Sequence, residues 1–278
     1  MTTLVIGARG SVGRHVVDGL LAAGETVRAS VRDPAAAGLP PGVPLVIADL
    51  AAPETLRTAL DGVRRVFLYA TAAGTATFAG AARGAGVEHI VLLSSGSVLL
   101  PTAHGNATAE HHRAVERTLD AAGVPWTPVR PLVLANNALN WARSVRAEGV
   151  VRLLHPEAMT APIHERDIAA VAVTALLSPG TTSVSDLLTG GERMSQRQQV
   201  EALAEATDRP LRIEELTVSQ AQQHFERFAP PEVAASIVSF VTSAARGESP
   251  ATFTAQRVLG RDPLTFAQWA AEHAASFA

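Results

Sequence analysis

Apolar and polar positions follow two alternating patterns in the first half of the chain. Short apolar runs at residues 3–8, 26–32, 43–50, 64–70, 89–95 and 126–131 predict six buried parallel strands. Between them, residues 11–23, 53–62, 75–86 and 107–123 carry apolar residues at helical spacing. Repeated strand–helix units with right-handed crossovers predict an α/β fold built on a doubly wound parallel sheet of the Rossmann type.

The second half of the chain is less regular. Residues 164–178 predict a helix, 183–190 a strand that closes the sheet, and 195–208 a helix capped by Ser195. Residues 211–217 alternate like an edge strand, and 218–246 and 263–276 predict further helices. We therefore expect residues 1–134 and 163–190 to form the core that contains the sheet. Residues 135–162 and 191–278 would form a smaller, C-terminal substrate-binding cap over the carboxyl edge of the sheet, where open α/β sheets bind ligands.

A glycine-rich turn joins the first strand to the first helix. Gly7, Gly10 and Gly13 are spaced G-x-x-G-x-x-G. The first permits a tight turn, the second lets a pyrophosphate approach the backbone, and the third lets the helix pack close to the strand. Free N–H groups at the helix start then face the phosphates. The strand, helix and second strand around this turn predict a dinucleotide site.

Positive charge gathers where the second strand ends. Arg32, in "VRDP", occupies the place where NAD-binding proteins usually carry a carboxylate, and a guanidinium suits the 2′-phosphate of NADP(H). Arg9 and Arg14 can add charge near the same pocket. Asp33 would instead reach a ribose if the strand ends one residue later. Asp49 is a candidate for the adenine amino group or, alternatively, a cap of its own turn.

Composition excludes several classes of function. All 23 basic residues counted as Lys or Arg are arginine, so a catalytic lysine is excluded, and the absence of cysteine excludes disulfides and thiol chemistry. The net charge of −3 argues against a nucleic-acid surface, and no apolar run has the length of a membrane span. The N-terminus does not resemble a signal peptide, so we expect a cytoplasmic protein; its oligomeric state stays open. Neither a G-x-S-x-G elbow nor a GK[ST] phosphate loop occurs, and the His-Glu-Arg-Asp run at 164–167 is better explained as a helix start than as a metal site.

An ordered set of motifs resembles the NmrA-like, atypical branch of the short-chain dehydrogenase/reductases. The set is the glycine turn, "VRDP", "ADL", "VEHIVLLSS", "GVPWTPVRP", "RDIAAVAV" and "LTG", and it continues to "VLGRDPLTFAQWAAEHA" near the end. The resemblance implies a Rossmann core, an NADP(H) site and a C-terminal cap, with the nicotinamide near the loops after the fourth, fifth and sixth strands. The expected cofactor contacts are Gly7, Arg9, Gly10, Ser11, Val12, Gly13, Arg32, Asp49, Leu50, Tyr69, Ala70, Thr71, Ser94 and Pro131.

The chain departs from this family at its acid–base pair. In active relatives a tyrosine and a lysine four residues apart on a helix do the proton transfer. Aligned through Glu116 and Arg130, the corresponding positions here hold Thr108 and His112. The usual proton donor is therefore absent, and in an enzyme without it the substrate can supply part of its own activation.

An NADPH-dependent reductase of an aromatic ketone or quinone fits this departure, because such carbonyls are already electrophilic or internally hydrogen-bonded. A polycyclic polyketide of antibiotic biosynthesis is one such substrate. Ser95 and Ser97 can donate to the carbonyl oxygen or else cap their own turn. His112 can move a proton, touch the ribose, or simply be an exposed helix histidine.

Asn136, Asn137 and Trp141 are candidates for the substrate pocket, although asparagines also cap turns and an apolar cap can equally be packing or a partner interface. A different class of function also fits the absent tyrosine and lysine, namely a regulator or scaffold that senses NADP(H) without catalysis.

Overall fold

The computed structural model describes residues 1–31, 38–69, 72–180 and 182–278. Seven strands form one parallel sheet in the order β3-β2-β1-β4-β5-β6-β9. The strands are β1 (Thr2–Val5), β2 (Thr26–Ser30), β3 (Leu45–Val46), β4 (Val63–Tyr69), β5 (His89–Leu93), β6 (Trp126–Pro131) and β9 (Leu187–Leu188). The doubly wound parallel sheet predicted from the apolar runs is thereby confirmed.

Helices cover both faces of the sheet. On one face α1 (Gly13–Ala22) and α6 (Glu165–Leu177) bury an apolar cluster that includes Val16, Leu20 and Ile168. On the other face α2 (Pro53–Leu60), α3 (Thr75–Gly84) and α4 (Ala107–Ala122) bury a second cluster around Phe78 and Leu119. The order of strands reverses between β1 and β4, so a crevice forms at their carboxyl ends.

The remaining elements lie outside the seven-stranded sheet. They are α5 (Ala142–Glu148), β7 (Val150–Leu154), β8 (Met159–Thr160), β10 (Met194–Ser195), α7 (Gln196–Thr207), β11 (Arg212–Leu216), α8 (Val218–Phe225), α9 (Pro231–Ala245), α10 (Thr254–Leu259) and α11 (Phe266–His273). Trp269 and Phe277 belong to a third cluster, and Leu154 and Val238 to a fourth. Both clusters fall within the segments assigned to the cap, whereas Ala255 of α10 packs with the α1–α6 cluster. The division into core and cap stays a prediction.

Several predicted elements differ in their bounds. The helix expected over 218–246 is divided into α8, which ends at Phe225, and α9, which begins at Pro231. Pro230 and Pro231 cannot donate the backbone hydrogen bonds that one continuous helix would need there. The strand expected over 183–190 is only two residues long and follows a 3₁₀ turn at Thr182–Ser185. The edge strand expected over 211–217 pairs in parallel with β7, which the sequence pattern did not predict. None of the helices in the described ranges is long and apolar enough to cross a membrane.

Candidate active site

The glycine turn is tightly closed on itself. Gly7 has a φ of +77°, a conformation that favours glycine, and its carbonyl oxygen accepts a 2.9 Å hydrogen bond from Gly10 N–H. A Cβ at Gly13 would lie 2.1 Å from the same oxygen, which is far inside contact distance. Only glycine at residue 13 allows α1 to begin this close to β1. The spacing of the three glycines is therefore explained by the geometry of the turn.

Unpartnered donors remain at the start of α1. Among the described residues, no acceptor faces the backbone N–H groups of Ser11 and Val12. Such N–H groups, together with the helix dipole, favour an anion at this position. Arg9 is exposed and forms no ion pair within the described part of the chain, whereas Arg14 lies 3.8 Å from the buried Glu165. The turn thus has the backbone donors and the positive charge that favour a pyrophosphate.

Other predicted cofactor contacts lie at or after the carboxyl ends of β3, β4 and β6. Tyr69 ends β4, is 55% exposed, and lies against Gly7. Asp49 is exposed; its Oδ1 accepts from Ala51 N–H at 2.9 Å, so it does cap its own turn, as the alternative interpretation held. Leu50 is buried and Pro131 ends β6. Arg32, Ala70 and Thr71, and with them the alternative ribose ligand Asp33, lie outside the described residues.

A largely buried ion pair connects β6 to α4. Arg130 donates to Glu116 through Nε at 2.9 Å and Nη2 at 2.7 Å, and Ser94 donates to Glu116 Oε1 at 2.6 Å. Arg130 also donates to the carbonyl of Ser185 at 3.0 Å. The hydroxyl of Ser94, predicted at the cofactor, is therefore turned into the protein and joins α4 to β5 and β6. Any contact of Ser94 with a cofactor would go through its backbone.

The next serines along the chain face the opposite way. Ser95 and Ser97 follow β5, their hydroxyl oxygens are 2.9 Å apart, and both line a cavity above the sheet. Ser95 Oγ also accepts from Ser97 N–H at 3.2 Å, so the turn-capping role is present alongside the cavity-facing one. Two coupled hydroxyls here can donate one hydrogen bond into the cavity while supporting each other.

His112 lies one helical turn from Thr108 on α4, but only Thr108 lines the cavity. Nδ1 of His112 is buried and has no partner among the described residues. Burial, and after it the charge of His111, lower the pKa of His112 to about 4, while the charge of Glu116 acts in the opposite direction. The ring is therefore neutral at pH 7. It can donate or accept a hydrogen bond there, but it does not carry the extra proton of an acid.

The cavity measures about 410 Å³ and is largely apolar. Its sides include Leu132, Leu134 and Leu153, and its roof comes from α8 and α9. Of the predicted substrate residues, Asn137 and Trp141 line it. Asn136 does not; its Oδ1 accepts a 2.7 Å hydrogen bond from Trp269 and so ties its loop to α11. The sequence missed a set of cavity residues, namely Arg152, Gln196, Gln199, His224, Phe225, Phe228 and Phe240.

Residues 218–258, which supply this roof, are rich in apolar side chains, and this composition is the one signal that the sequence offers for it. It fits an apolar ligand, core packing or a partner interface alike, and it does not identify the side chains that line the cavity. The polar cavity residues Arg152, Gln196 and Gln199 carry no local motif, because they meet the cavity only after β7, α7 and α8 have packed together.

Comparisons with known proteins agree with this geometry. A family model described as NAD(P)H-binding matches residues 7–179. The (4-alkanoyl-5-oxo-2,5-dihydrofuran-3-yl)methyl phosphate reductase of Streptomyces griseus is 38% identical over 99% of this chain and 99% of its own. The NAD(P)H azoreductase of Xenophilus azovorans is 34% identical over 99% and 98%, respectively.

Two solved structures share the fold. The NADPH-dependent quinone oxidoreductase QOR2 of Escherichia coli superposes with a TM-score of 0.77 at 22% identity, covering 97% of this chain and 98% of that one. NmrA, a negative transcriptional regulator, gives a TM-score of 0.67 at 18% identity and covers 98% and 94%. The chain therefore belongs to the NAD(P)H-binding family, and it has the fold of the NmrA-like, atypical short-chain dehydrogenase/reductases.

Proposed function

We propose that this protein is an NADPH-dependent reductase that transfers a hydride to the activated carbonyl of an aromatic ketone or quinone. The observation that carries the proposal is the apolar cavity of about 410 Å³, which opens beside two hydroxyls at the carboxyl edge of the sheet. This is the edge at which doubly wound sheets place a dinucleotide and its substrate. A polycyclic polyketide-type metabolite is the class of aromatic substrate that we favour.

The cofactor would be held by the glycine turn. The tight approach of Gly13 to Gly7 and the free N–H groups of Ser11 and Val12 fit a pyrophosphate. Arg32 would select NADPH over NADH through the 2′-phosphate, with Arg9 adding charge. When bound, the nicotinamide supplies the hydride from its C4 position.

The side chains of this protein would orient and polarise the carbonyl. Ser95 and Ser97 offer a hydroxyl at the cavity wall, and the 2.9 Å contact between them strengthens the outgoing hydrogen bond. A positioned acid contributes typically ~10²–10⁴-fold. With a neutral His112 and no lysine in the chain, that contribution is small here, so an electrophilic or internally hydrogen-bonded carbonyl is needed.

The relatives support the coarser statement of an NAD(P)H-dependent reductase. One is a reductase of a furanone phosphate and another is an NAD(P)H azoreductase, so both are reductases although their substrates differ. The apolar roof formed by Phe225, Phe228 and Phe240 favours a flat aromatic partner in this protein.

A regulator that senses NADP(H) is the second candidate. The neutral His112 in place of an acid favours it, because a sensor needs a binding site but no proton donor. The two candidates make opposite predictions for turnover. Calorimetry measures NADPH binding, and NADPH absorbance then follows turnover with neutral quinones and hydroxyaryl ketones. Tight binding without oxidation by any compound of the panel would favour the sensor.

The role of the hydroxyls needs a matched variant. Ser95→Ala with Ser97→Ala should lower kcat by about 10- to 100-fold, the range of one hydrogen bond to a developing charge, while NADPH binding stays intact. Ser239→Ala, an exposed serine of α9 that does not line the cavity, is the control and should behave as wild type. Unchanged kcat in the double variant would remove these hydroxyls from the proposed mechanism.

A further inference from the structure

The cavity contains one permanent charge among its described lining residues. Arg152 of β7 is the only arginine, lysine or carboxylate in that lining. Its side chain is 28% exposed, so part of the guanidinium is withdrawn from water. A cation at this position would normally attract an anionic substrate group.

Two carboxylates hold this guanidinium. Glu148 accepts from Nη2 at 2.6 Å and from Nη1 at 3.2 Å, and Glu214 accepts from Nε at 2.9 Å. Every guanidinium nitrogen of Arg152 thus donates to a carboxylate. The three groups together carry a charge of −1 rather than +1.

The fold builds this arrangement from two directions. Glu148 ends α5 four residues before Arg152, and Glu214 is the direct neighbour of Arg152 in the parallel pairing of β11 with β7. The hydrogen bonds from Arg152 lower the pKa of Glu148 despite an opposing contribution from burial, so this carboxylate stays ionised at neutral pH.

Neighbouring groups do not supply another cation to the cavity. His224 lines it, but burial lowers the pKa of His224, and Arg227 and Arg152 lower it further, so the ring is neutral. Arg212 and Arg227 lie near the cluster without lining the cavity. An anionic group that enters the cavity loses its hydration and finds no cation without a carboxylate partner among these groups. This desolvation makes the binding free energy of an anion unfavourable.

We propose that Glu148 and Glu214 act as a charge lock on Arg152, so that the cavity accepts uncharged substrates and rejects phosphate, sulfonate or carboxylate derivatives. This inference rests on the proposed function in one respect, namely that the cavity is the substrate site. It adds two selectivity residues that do not themselves touch the substrate and whose effect passes through Arg152.

The experiment compares a neutral naphthoquinone with its sulfonated analogue on the full-length, NADPH-loaded protein. The measured quantity is the ratio of kcat/KM for the neutral compound to that for the sulfonate. The change of this ratio between wild type and variant cancels the intrinsic reactivity of the two quinones. Wild type should favour the neutral compound, and Glu148→Gln with Glu214→Gln should lower the ratio by about 10- to 100-fold, the range of one charge-assisted hydrogen bond.

Arg152→Gln added to that double variant is the matched control. It removes the freed cation and should return the ratio to the wild-type value. An unchanged ratio in the double variant, or a lowered ratio that persists without Arg152, would overturn the inference. Both carboxylates are half exposed, so their replacement by the isosteric amides should leave folding intact.

A binding readout separates this inference from the proposed function. Trp141 lines the cavity, so quenching of tryptophan fluorescence in the NADP-loaded protein reports dissociation constants without turnover. Tighter binding of the neutral compound, with the ratio shifted by the double variant, supports the charge lock even if no NADPH is oxidised. Equal affinity for both compounds in wild type, or binding of neither, would overturn it.

Discussion

Replacing Gly13 by alanine tests the geometry of the glycine turn. The new Cβ would lie 2.1 Å from Gly7 O and 2.8 Å from Gly7 C, whereas ordinary contacts begin at 3.4 Å. Backbone atoms would have to move by more than 1 Å, because no flexible side chain is available to yield. Overpacking of this kind costs typically about 1–3 kcal/mol. We expect Gly13→Ala to lower the free energy of unfolding by an amount near the upper end of that range. It should also lower the affinity for NADPH at least about tenfold, because the N–H groups of Ser11 and Val12 are displaced.

Two further glycines provide a graded control. The Cβ of Gly10→Ala would lie 3.1 Å from Gly7 O, so this variant should lose less stability than Gly13→Ala. The Cβ of Gly80→Ala, on the exposed face of α3, would have no atom within 4 Å. Since alanine favours a helix over glycine, Gly80→Ala should stabilise by about 0.5–1 kcal/mol. Urea unfolding gives the free energies and calorimetry the affinities. If Gly13→Ala were as stable as Gly80→Ala and bound NADPH normally, the geometry of the turn described above would be wrong.

Three further predictions concern the cofactor and the buried polar groups. Arg32→Ala should weaken NADPH binding by about 10- to 100-fold and NADH binding far less in calorimetry, and equal losses would exclude a 2′-phosphate contact. The pKa of His112 is lowered to about 4 in the folded state, so its contribution to the free energy of unfolding is fully present above pH 6.5 and is lost as the pH falls towards 4. His112→Gln should therefore reduce the pH dependence of the free energy of unfolding by up to about 1.4 kcal/mol per pH unit. An unchanged pH dependence between pH 4.5 and 6 would refute the burial argument. Glu116→Ala should lower the free energy of unfolding by about 3 kcal/mol in urea, since it strands Arg130 and Ser94 without their shared acceptor, and a loss below about 1 kcal/mol would contradict this.

Local patterns were sufficient for the sheet and the glycine turn. Apolar runs and glycine stops lie next to each other along the chain, so the order of strands and helices through Pro131 follows from the sequence. Their ends were less predictable. The first strand was expected to reach residue 8 but ends at Val5, because the chain must already turn towards Gly7, whose φ is +77°.

Long-range pairing explains most of what the sequence did not reveal. Strand β7 acquires its partner β11 only from residues about sixty positions later, and no local pattern encodes such a pairing. Arg152, Glu148 and Glu214 become neighbours through that pairing and so carry no motif.

The sequence also does not determine which of Ser94 and Ser95 faces the cavity. Successive strand residues point to opposite faces, so "LLSS" alone does not decide which serine faces the cavity. The structure turns Ser94 inward to Glu116 and Ser95 outward.

Transfer of a labelled hydride tests the central claim most directly. The full-length protein is incubated with NADPH that carries deuterium at the transferable C4 position and with a neutral hydroxyaryl ketone, and the product is analysed by mass spectrometry and NMR. The proposed function predicts an alcohol with deuterium on the former carbonyl carbon, formed in step with oxidised cofactor. A ketone panel left unreduced by protein that demonstrably binds NADPH, or an alcohol without the label, would contradict it.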